Sequence, residues 1–219
     1  MEKNHIKTNL VLDSLRSKLF RNLKEYQEYE LKDIATINKG KQLNKELMDD
    51  SGKYYVLNGG KSPSGFTETW NVEGNTITIS EGGESCGYVN YNRENFYCGG
   101  HCYYLVLNKL VNGYYLFNYL KYIETDIMRL RVGSGLPNIQ KKDLLKLKIR
   151  ISDNNQENLG NILQNTVNKI SLLKKEIDLT IVNYQTFIMY FSYQFSIIEK
   201  FKTSLLNSFL IICSICSLE

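Results

Sequence analysis

The amino-acid sequence predicts an α+β protein, with a mixed, β-rich domain followed by a long coiled-coil-forming α-helix. Three observations carry that expectation. Fourteen of the 15 glycines and both prolines lie between residues 29 and 151. Within that stretch, short β-type runs alternate with turn-forming clusters. After residue 160 glycine disappears, and apolar residues recur at alternating spacings of four and three, the signature of a coiled-coil seam.

Residues 1–28 form the first element. Over 5–26, Leu12, Leu15, Leu19 and Leu23 stand at helical spacing with charges between them, which reads as an amphipathic helix. In the glycine-rich region, the runs 54–57, 76–80, 87–91 and 103–107 read as strands. Asn58-Gly59-Gly60 and Glu81-Gly82-Gly83 supply turns between them. Residues 114–127, just after Gly113, read as helical.

The segment R-V-G-S-G-L-P-N-I-Q-K-K-D-L-L-K-L-K-I (131–149) combines several commitments. Gly133 and Gly135 flank Ser134 and allow a sharp turn. Pro137 fixes its own φ and pushes Leu136 toward an extended conformation. Asn138 is expected to cap a short helical turn over 139–144, before Leu145, Leu147 and Ile149 alternate as a strand. Arg129, Arg131, Lys141, Lys142, Lys146 and Lys148 surround this loop, a cationic setting suited to a phosphate-bearing partner.

The long helix is expected over 152–195. Its seam comprises Leu159, Leu163, Thr166, Ile170, Leu173, Ile177, Thr180, Tyr184, Phe187 and Phe191. From 156 to 191 it would extend roughly 54 Å at about 1.5 Å per residue. A core helix of one compact domain is the bland alternative, but the seam outruns the usual helix length. A stripe this long needs a partner helix. The two threonines weaken it and make pairing conditional or register-specific. Beyond it, Phe195, Ile197, Ile198 and Phe201 continue the helix or begin a loop, and 196–219 forms an apolar tail that calls for cover.

Composition restricts the function classes. An apolar fraction of 42% suffices for a core, and the net charge of +4 does not by itself imply nucleic acid. Five irregularly spaced cysteines do not form a secreted disulfide framework. The first ten residues lack an apolar signal-peptide core, and the apolar run 204–216 is too short to span a bilayer. A cytoplasmic protein without membrane attachment is expected.

Catalytic motifs are missing. Gly60-Lys61-Ser62 ends like a P-loop, but Tyr55 stands where its first glycine belongs. Gly133-Ser134-Gly135 begins a dinucleotide fingerprint that Asn138 breaks. Pro63 and Pro137 are isolated, so the Pro-Pro motif of amino-methylating enzymes cannot be present. Cys86, Cys98, His101 and Cys102 carry zinc-ligand chemistry, but their spacing matches no standard knuckle and strand cysteines usually pack as small apolar groups. Cys213 and Cys216 on an apolar tail are weak evidence for redox chemistry. The expectation is no catalytic residue, no metal and no cofactor on this chain.

Four segments and the helix carry a family resemblance. They are E-L-K-D-I-A-T-I-N-K-G-K (30–41), N-G-G-K-S-P-S-G-F (58–66), N-T-I-T-I-S-E-G-G-E-S-C-G-Y-V (75–89) and G-S-G-L-P-N-I-Q-K-K-D-L (133–144), followed by the heptad helix. In this order they resemble the specificity subunit of type I restriction–modification systems, in a half-subunit form with one target recognition domain and one spacer helix. The resemblance implies a DNA-binding recognition domain over 29–151 and a spacer and dimerisation helix over 152–195. It implies a non-catalytic subunit whose partners are double-stranded DNA, a methyltransferase subunit, a restriction subunit and a second copy of the chain. S-adenosylmethionine, ATP and magnesium would then belong to those partner subunits. The chain departs from the pattern at the hinge, where a proline-containing stretch is expected. It reads I-R-I-S-D-N-N-Q-E-N (149–158), and Gln156 alone echoes the family's Glu-Gln pair.

Candidate DNA contacts follow from this reading. Lys39, Lys41, Lys61, Arg93, Arg129, Arg131 and Lys141 are candidates for phosphate. Asn138 and Gln140 suit adenine by bidentate geometry, with a helix cap and a solvated side chain as their bland alternatives. Ser64 and Ser134 either donate to phosphates or only shape turns. On the helix, Leu159, Leu163, Ile170, Leu173, Ile177, Tyr184, Phe187 and Phe191 are the candidate pairing residues. A coiled-coil or regulatory fragment that binds methyltransferase subunits without reading DNA is the alternative.

Overall fold

The computed structural model describes residues 2–133, 135–152 and 156–216, with side chains described from 10 to 203 within those limits. The architecture is α+β, as expected. Its elements in chain order are α1 (Glu2–Arg21), β1 (Gln27–Glu30), α2 (Leu31–Ile34), β2 (Ala35–Lys39), a 3-10 turn (Lys45–Leu47), β3 (Tyr54–Leu57), β4 (Gly65–Thr67), β5 (Thr76–Ser80) and β6 (Val89–Asn92). There follow β7 (Tyr97–Cys98), β8 (Cys102–Leu107), α3 (Gly113–Tyr122), α4 (Glu124–Arg129), α5 (Lys141–Leu144), β9 (Lys148–Ile151) and α6 (Gln156–Cys216). The chain divides into two compact units, Met1–Val167 and Asn168–Glu219.

Among the described residues the first unit is built from a four-stranded sheet ordered β2-β8-β5-β6, a three-stranded sheet ordered β4-β3-β7, and the antiparallel pair β1-β9. Alternation puts Ile37, Ile77, Ile79 and Leu105 into one core with Tyr115, Leu116 and Leu120 of α3. A smaller cluster gathers Leu57, Val72, Phe96, Cys98 and Cys102.

The N-terminal helix belongs to this core. It ends at Arg21 rather than at 26, and β1 begins at Gln27, inside the expected 1–28 element. Leu12 and Phe20 are buried, while Leu23 falls beyond the helix. Phe20 is fully buried, with its ring 5.5 Å from Tyr115 and 5.3 Å from Tyr119 in edge-on contacts. Arg16 is buried on the same face and donates from Nε to Asn118 Oδ1 at 3.0 Å, while Asp13 neutralises it at 2.8 Å.

Several local expectations shift. The strand expected over 87–91 is β6 at Val89–Asn92, because turn hydrogen bonds from Cys86, Gly87 and Tyr88 hold the preceding residues. The helix expected over 114–127 breaks at Ile123 into α3 and α4. Asn138 caps no helix. Its N–H and carbonyl are spent on Val132, so the short helix starts later, as α5, with Gln140 at its N-cap position. Leu145 and Leu147 donate to carbonyls of Lys141 and Leu144 instead of alternating as a strand, and β9 begins at Lys148.

The entry to α6 is held without proline. Gln156 accepts from the Asn112 N–H at 2.9 Å through Oε1 and donates from Nε2 to the Leu110 carbonyl at 3.1 Å. Asn112 in turn caps α3 by accepting from the N–H groups of Tyr114 and Tyr115. Gly160 permits this closeness, since a Cβ there would lie 3.2 Å from Asn112 Oδ1. The helix continues well past 195, so residues 196–216 of the expected tail are helical. Its length is about 90 Å at about 1.5 Å per residue. Among the described residues no helix is long and apolar enough to cross a membrane.

Candidate nucleic-acid interface

Sheet register decides which loops share an end. Lys39 pairs with Tyr103 and Ser80 with Cys102. The loops after β2, after β5 and before β8 therefore leave the four-stranded sheet on one side. The β3–β4 loop joins them there: Ser80 Oγ donates to the Gly59 carbonyl, the Gly99 N–H to the Leu57 carbonyl, and the His101 N–H to Asn58 Oδ1.

The 131–140 loop closes over the same end. The Val132 N–H donates to the Asn138 carbonyl at 2.9 Å, and the Asn138 N–H returns to Val132 at 3.0 Å. Gly133 makes this reversal at φ +102°, a conformation that side chains rarely adopt. Gly83 donates to the Pro137 carbonyl and Ile139 to the Glu81 carbonyl. Ile139 itself is fully buried and anchors the loop in the core.

Glu81 lies at the centre of these contacts. Its Oε1 accepts from Lys39 Nζ at 2.7 Å and from the Tyr103 hydroxyl at 2.9 Å, and that hydroxyl also lies 3.2 Å from the Ile139 carbonyl. Burial first, and the Glu81 bond second, push the Tyr103 phenol above its usual range. Cys86 donates its S–H to the Glu81 carbonyl, and burial raises that thiol. Hydrogen bonding with the Cys102 side chain, ahead of burial, raises the Cys98 thiol. These are protonated, packed thiols. Among the described residues no group of three or more His, Cys, Asp or Glu is placed to hold a metal ion.

The expected contact residues fall into groups. Lys39, Lys41, Lys61, Ser64, Arg131, Asn138, Gln140 and Lys141 are exposed on or beside the converging loops. The Lys41 N–H is fixed to the Cys98 carbonyl, and Lys61 Nζ lies 5.8 Å from the Tyr88 ring centre. The Ser64 N–H closes the β3–β4 turn on the Val56 carbonyl. Arg129 is exposed on α4 and paired with Asp126 at 2.8 Å. Arg93 is elsewhere: Asn92 pairs with Thr76, so Arg93 follows the opposite end of β6. Ser134 lies outside the described residues.

Glu81, Tyr103, His101 and Asn58 are members of this site that were not among the expected DNA contacts: pattern reading marked Glu81 and Asn58 only as turn residues and His101 only for zinc-ligand chemistry. Only one sequence signal pointed to Glu81, a charged residue directly after an alternating strand and before two glycines. A separate cleft of about 710 Å³ includes Trp70, Tyr91, Tyr104 and Tyr114 in its lining and extends to the Arg93 end of the sheet. Lys121 lies beneath Tyr88 at 4.3 Å and pairs with Glu124, and burial holds it below its ordinary range.

The helix residues separate as well. Leu163 is fully buried in the core of the first unit and Leu159 is packed against it. Leu173, Ile177, Tyr184, Phe187 and Phe191 are 47 to 68% exposed, and Ile170 is half-buried. The first two seam positions are therefore consumed by the chain's own domain, and the open seam begins near Ile170.

Comparisons with known proteins agree with this geometry. Residues 23–181 match the family model described as type I restriction modification DNA specificity domain. A protein assigned as a type I specificity subunit in Mycoplasma genitalium is 36% identical over 126 residues, 57% of this chain and 33% of that protein. One so assigned in Mycoplasma pneumoniae is 38% identical over 118 residues, 53% of this chain and 31% of that protein. The crystal structure of the type I restriction–modification S subunit from M. genitalium has a TM-score of 0.66 at 30% identity, covering 72% of this chain and 43% of that one. The HsdS subunit from Thermoanaerobacter tengcongensis, at a TM-score of 0.55 and 16% identity over 80% of this chain and 46% of that one, shares the fold. The matched stretch amounts to about a third of the curated relatives' length. The chain belongs to the type I restriction modification DNA specificity domain family.

Proposed function

We propose that the chain is a non-catalytic DNA-recognition subunit that directs a partner adenine methyltransferase, and through it a restriction subunit, to a bipartite target. The observation that carries this reading is the convergence of the loops bearing Lys39, Lys41, Lys61 and Arg131 with Asn138 and Gln140 at one end of the sheet. Cations there contact phosphate, which supplies affinity. Amide side chains beside them reach base edges, which supplies sequence choice. S-adenosylmethionine, ATP and magnesium act on the partner subunits. The exposed seam beyond Ile170 supports pairing of two copies, which places two recognition domains symmetrically about a fixed gap.

Mapping modified bases in DNA from cells that carry the chain with its methyltransferase subunit tests this. The expected result is an interrupted palindrome modified on both halves. An asymmetric motif contradicts pairing of identical copies, and the absence of any motif contradicts DNA recognition.

A further inference from the structure

The recognition loops meet on a buried negative charge beneath a positive surface. The Glu81 side chain is 6% exposed, whereas Lys39 and His101, which face it, are 53% and 65% exposed. Oε1 holds both Lys39 and Tyr103, but Oε2 is buried and has no hydrogen-bond donor among the described residues. The group facing Oε2 is His101 Nδ1 at 3.9 Å, within ion-pair range yet beyond hydrogen-bond range. The titratable and charged groups around the carboxyl are thus Lys39 from β2, His101 from the β7–β8 turn, Tyr103 from β8 and Cys86 from the turn after β5, with Arg131 acting electrostatically on Cys86.

A buried carboxylate is tolerated only while a cation and donors face it. Lys39 is also half exposed at the surface proposed for DNA, so a phosphate competes with Glu81 for it. Were Lys39 drawn away with nothing in exchange, Glu81 would keep only the Tyr103 hydroxyl. Histidine ionises near neutrality, and His101 is positioned over the orphaned oxygen.

We propose that Glu81 is a positioning residue that exchanges partners: it holds Lys39 in the free protein and turns to a protonated His101 when a DNA phosphate takes Lys39. One proton passes from solvent to the His101 imidazole in that exchange. Its trigger rests on the DNA-recognition reading, while the competition of Lys39 and His101 for one carboxylate exists without DNA.

The competition is read first, by NMR titration of the imidazole protons in the full chain, with His101→Gln distinguishing His101 from His5. Lys39→Gln, an exposed change, is expected to raise the His101 midpoint, and Glu81→Gln to lower it. A midpoint that is the same in wild type and Lys39→Gln overturns the proposal. The exchange is read second, from the pH dependence of sequence-specific DNA binding by the complex with the methyltransferase subunit. Wild type is expected to tighten from pH 8 to pH 6, by at most about tenfold per unit for one proton, and His101→Gln to lose that component. Equal pH slopes overturn the exchange. Absence of sequence-specific binding at every pH overturns the DNA reading instead, and the titration then decides the Glu81 pairing by itself.

Discussion

The first unit, Met1–Val167, and the helix from Asn168 onward treat apolar residues in opposite ways. In the first, Phe20, Tyr115, Leu116 and Ile127 are fully enclosed by their own chain. In the second, Phe187, Phe191, Phe195 and Phe201 are 56 to 69% exposed, and no charged residue stands between Asp178 and Glu199. Complete burial of one such side chain stabilises by roughly 1.5–3 kcal/mol, and a helix apolar on most sides is made to be covered. The difference teaches that one heptad seam can serve two purposes. Leu159 and Leu163 pack on the core of the first unit, while Leu173, Ile177, Tyr184, Phe187 and Phe191 stay exposed, which supports the pairing proposed for them.

Phe20→Ala should break the first half of this contrast most severely. A fully buried aromatic removed to alanine costs about 3–5 kcal/mol, measured by denaturant unfolding of the whole chain. Phe187→Ala should leave the stability of the first unit within about 0.5 kcal/mol. Equal losses would abolish the distinction between the two regions. Paired charges, Phe187→Asp with Phe191→Asp, test the second half. They should weaken self-association by about a hundredfold or more, roughly 2.7 kcal/mol, in sedimentation equilibrium, with first-unit unfolding unchanged. Unaltered association would remove this seam as the pairing face. Deleting one heptad between Ile170 and Phe191 shortens the helix by about 10 Å. It should change the gap of the modified motif or abolish modification, with each half-site sequence retained. Full activity at an unchanged gap would show that the helix does not measure the spacing.

What was legible in the sequence was what repeats locally. The helix announced itself because a 3.6-residue period is visible in any window, and β3 and β5 because their runs end at glycine-rich turns. The fate of each seam position was not legible: Leu163 and Phe187 look alike in the repeat, and only the docking of Gln156 and Gly160 against Asn112 makes the first one core. The cationic loops were legible as composition, but the carboxylate that joins them was not. Glu81 meets Lys39 across 42 residues and Tyr103 across 22, and no periodicity encodes such a pair. The cap expected at Asn138 failed for a different reason, since the local strand-like bridge to Val132 claimed its backbone before a helix could begin. Arg93 shows the same limit in reverse, an expected phosphate contact that antiparallel register sends to the opposite end of the sheet from Lys39.

The smallest expected effect lies in the minor cluster of the first unit, where Tyr55 stacks on Phe96 with ring centres 5.6 Å apart and donates its hydroxyl to Asn92 Oδ1 at 3.2 Å. Burial first, and the charge of Glu94 second, push its phenol from the ordinary 10.0 up to about 12. The folded state therefore prefers the neutral ring. Its contribution is complete below the unfolded value near pH 10 and is lost as pH rises from there toward 12. Tyr103 and Tyr115 are raised in the same direction by burial and respond in any variant that keeps them. Tyr55→Phe isolates one phenol: it preserves the stack on Phe96 and removes the ionisation. Unfolding midpoints followed from pH 7 to pH 12 should fall less steeply in Tyr55→Phe than in wild type above pH 10, with the two curves running parallel below pH 9. Parallel curves throughout would mean that the cluster opens before the phenol ionises, and that the first unit is less uniformly closed than its main core.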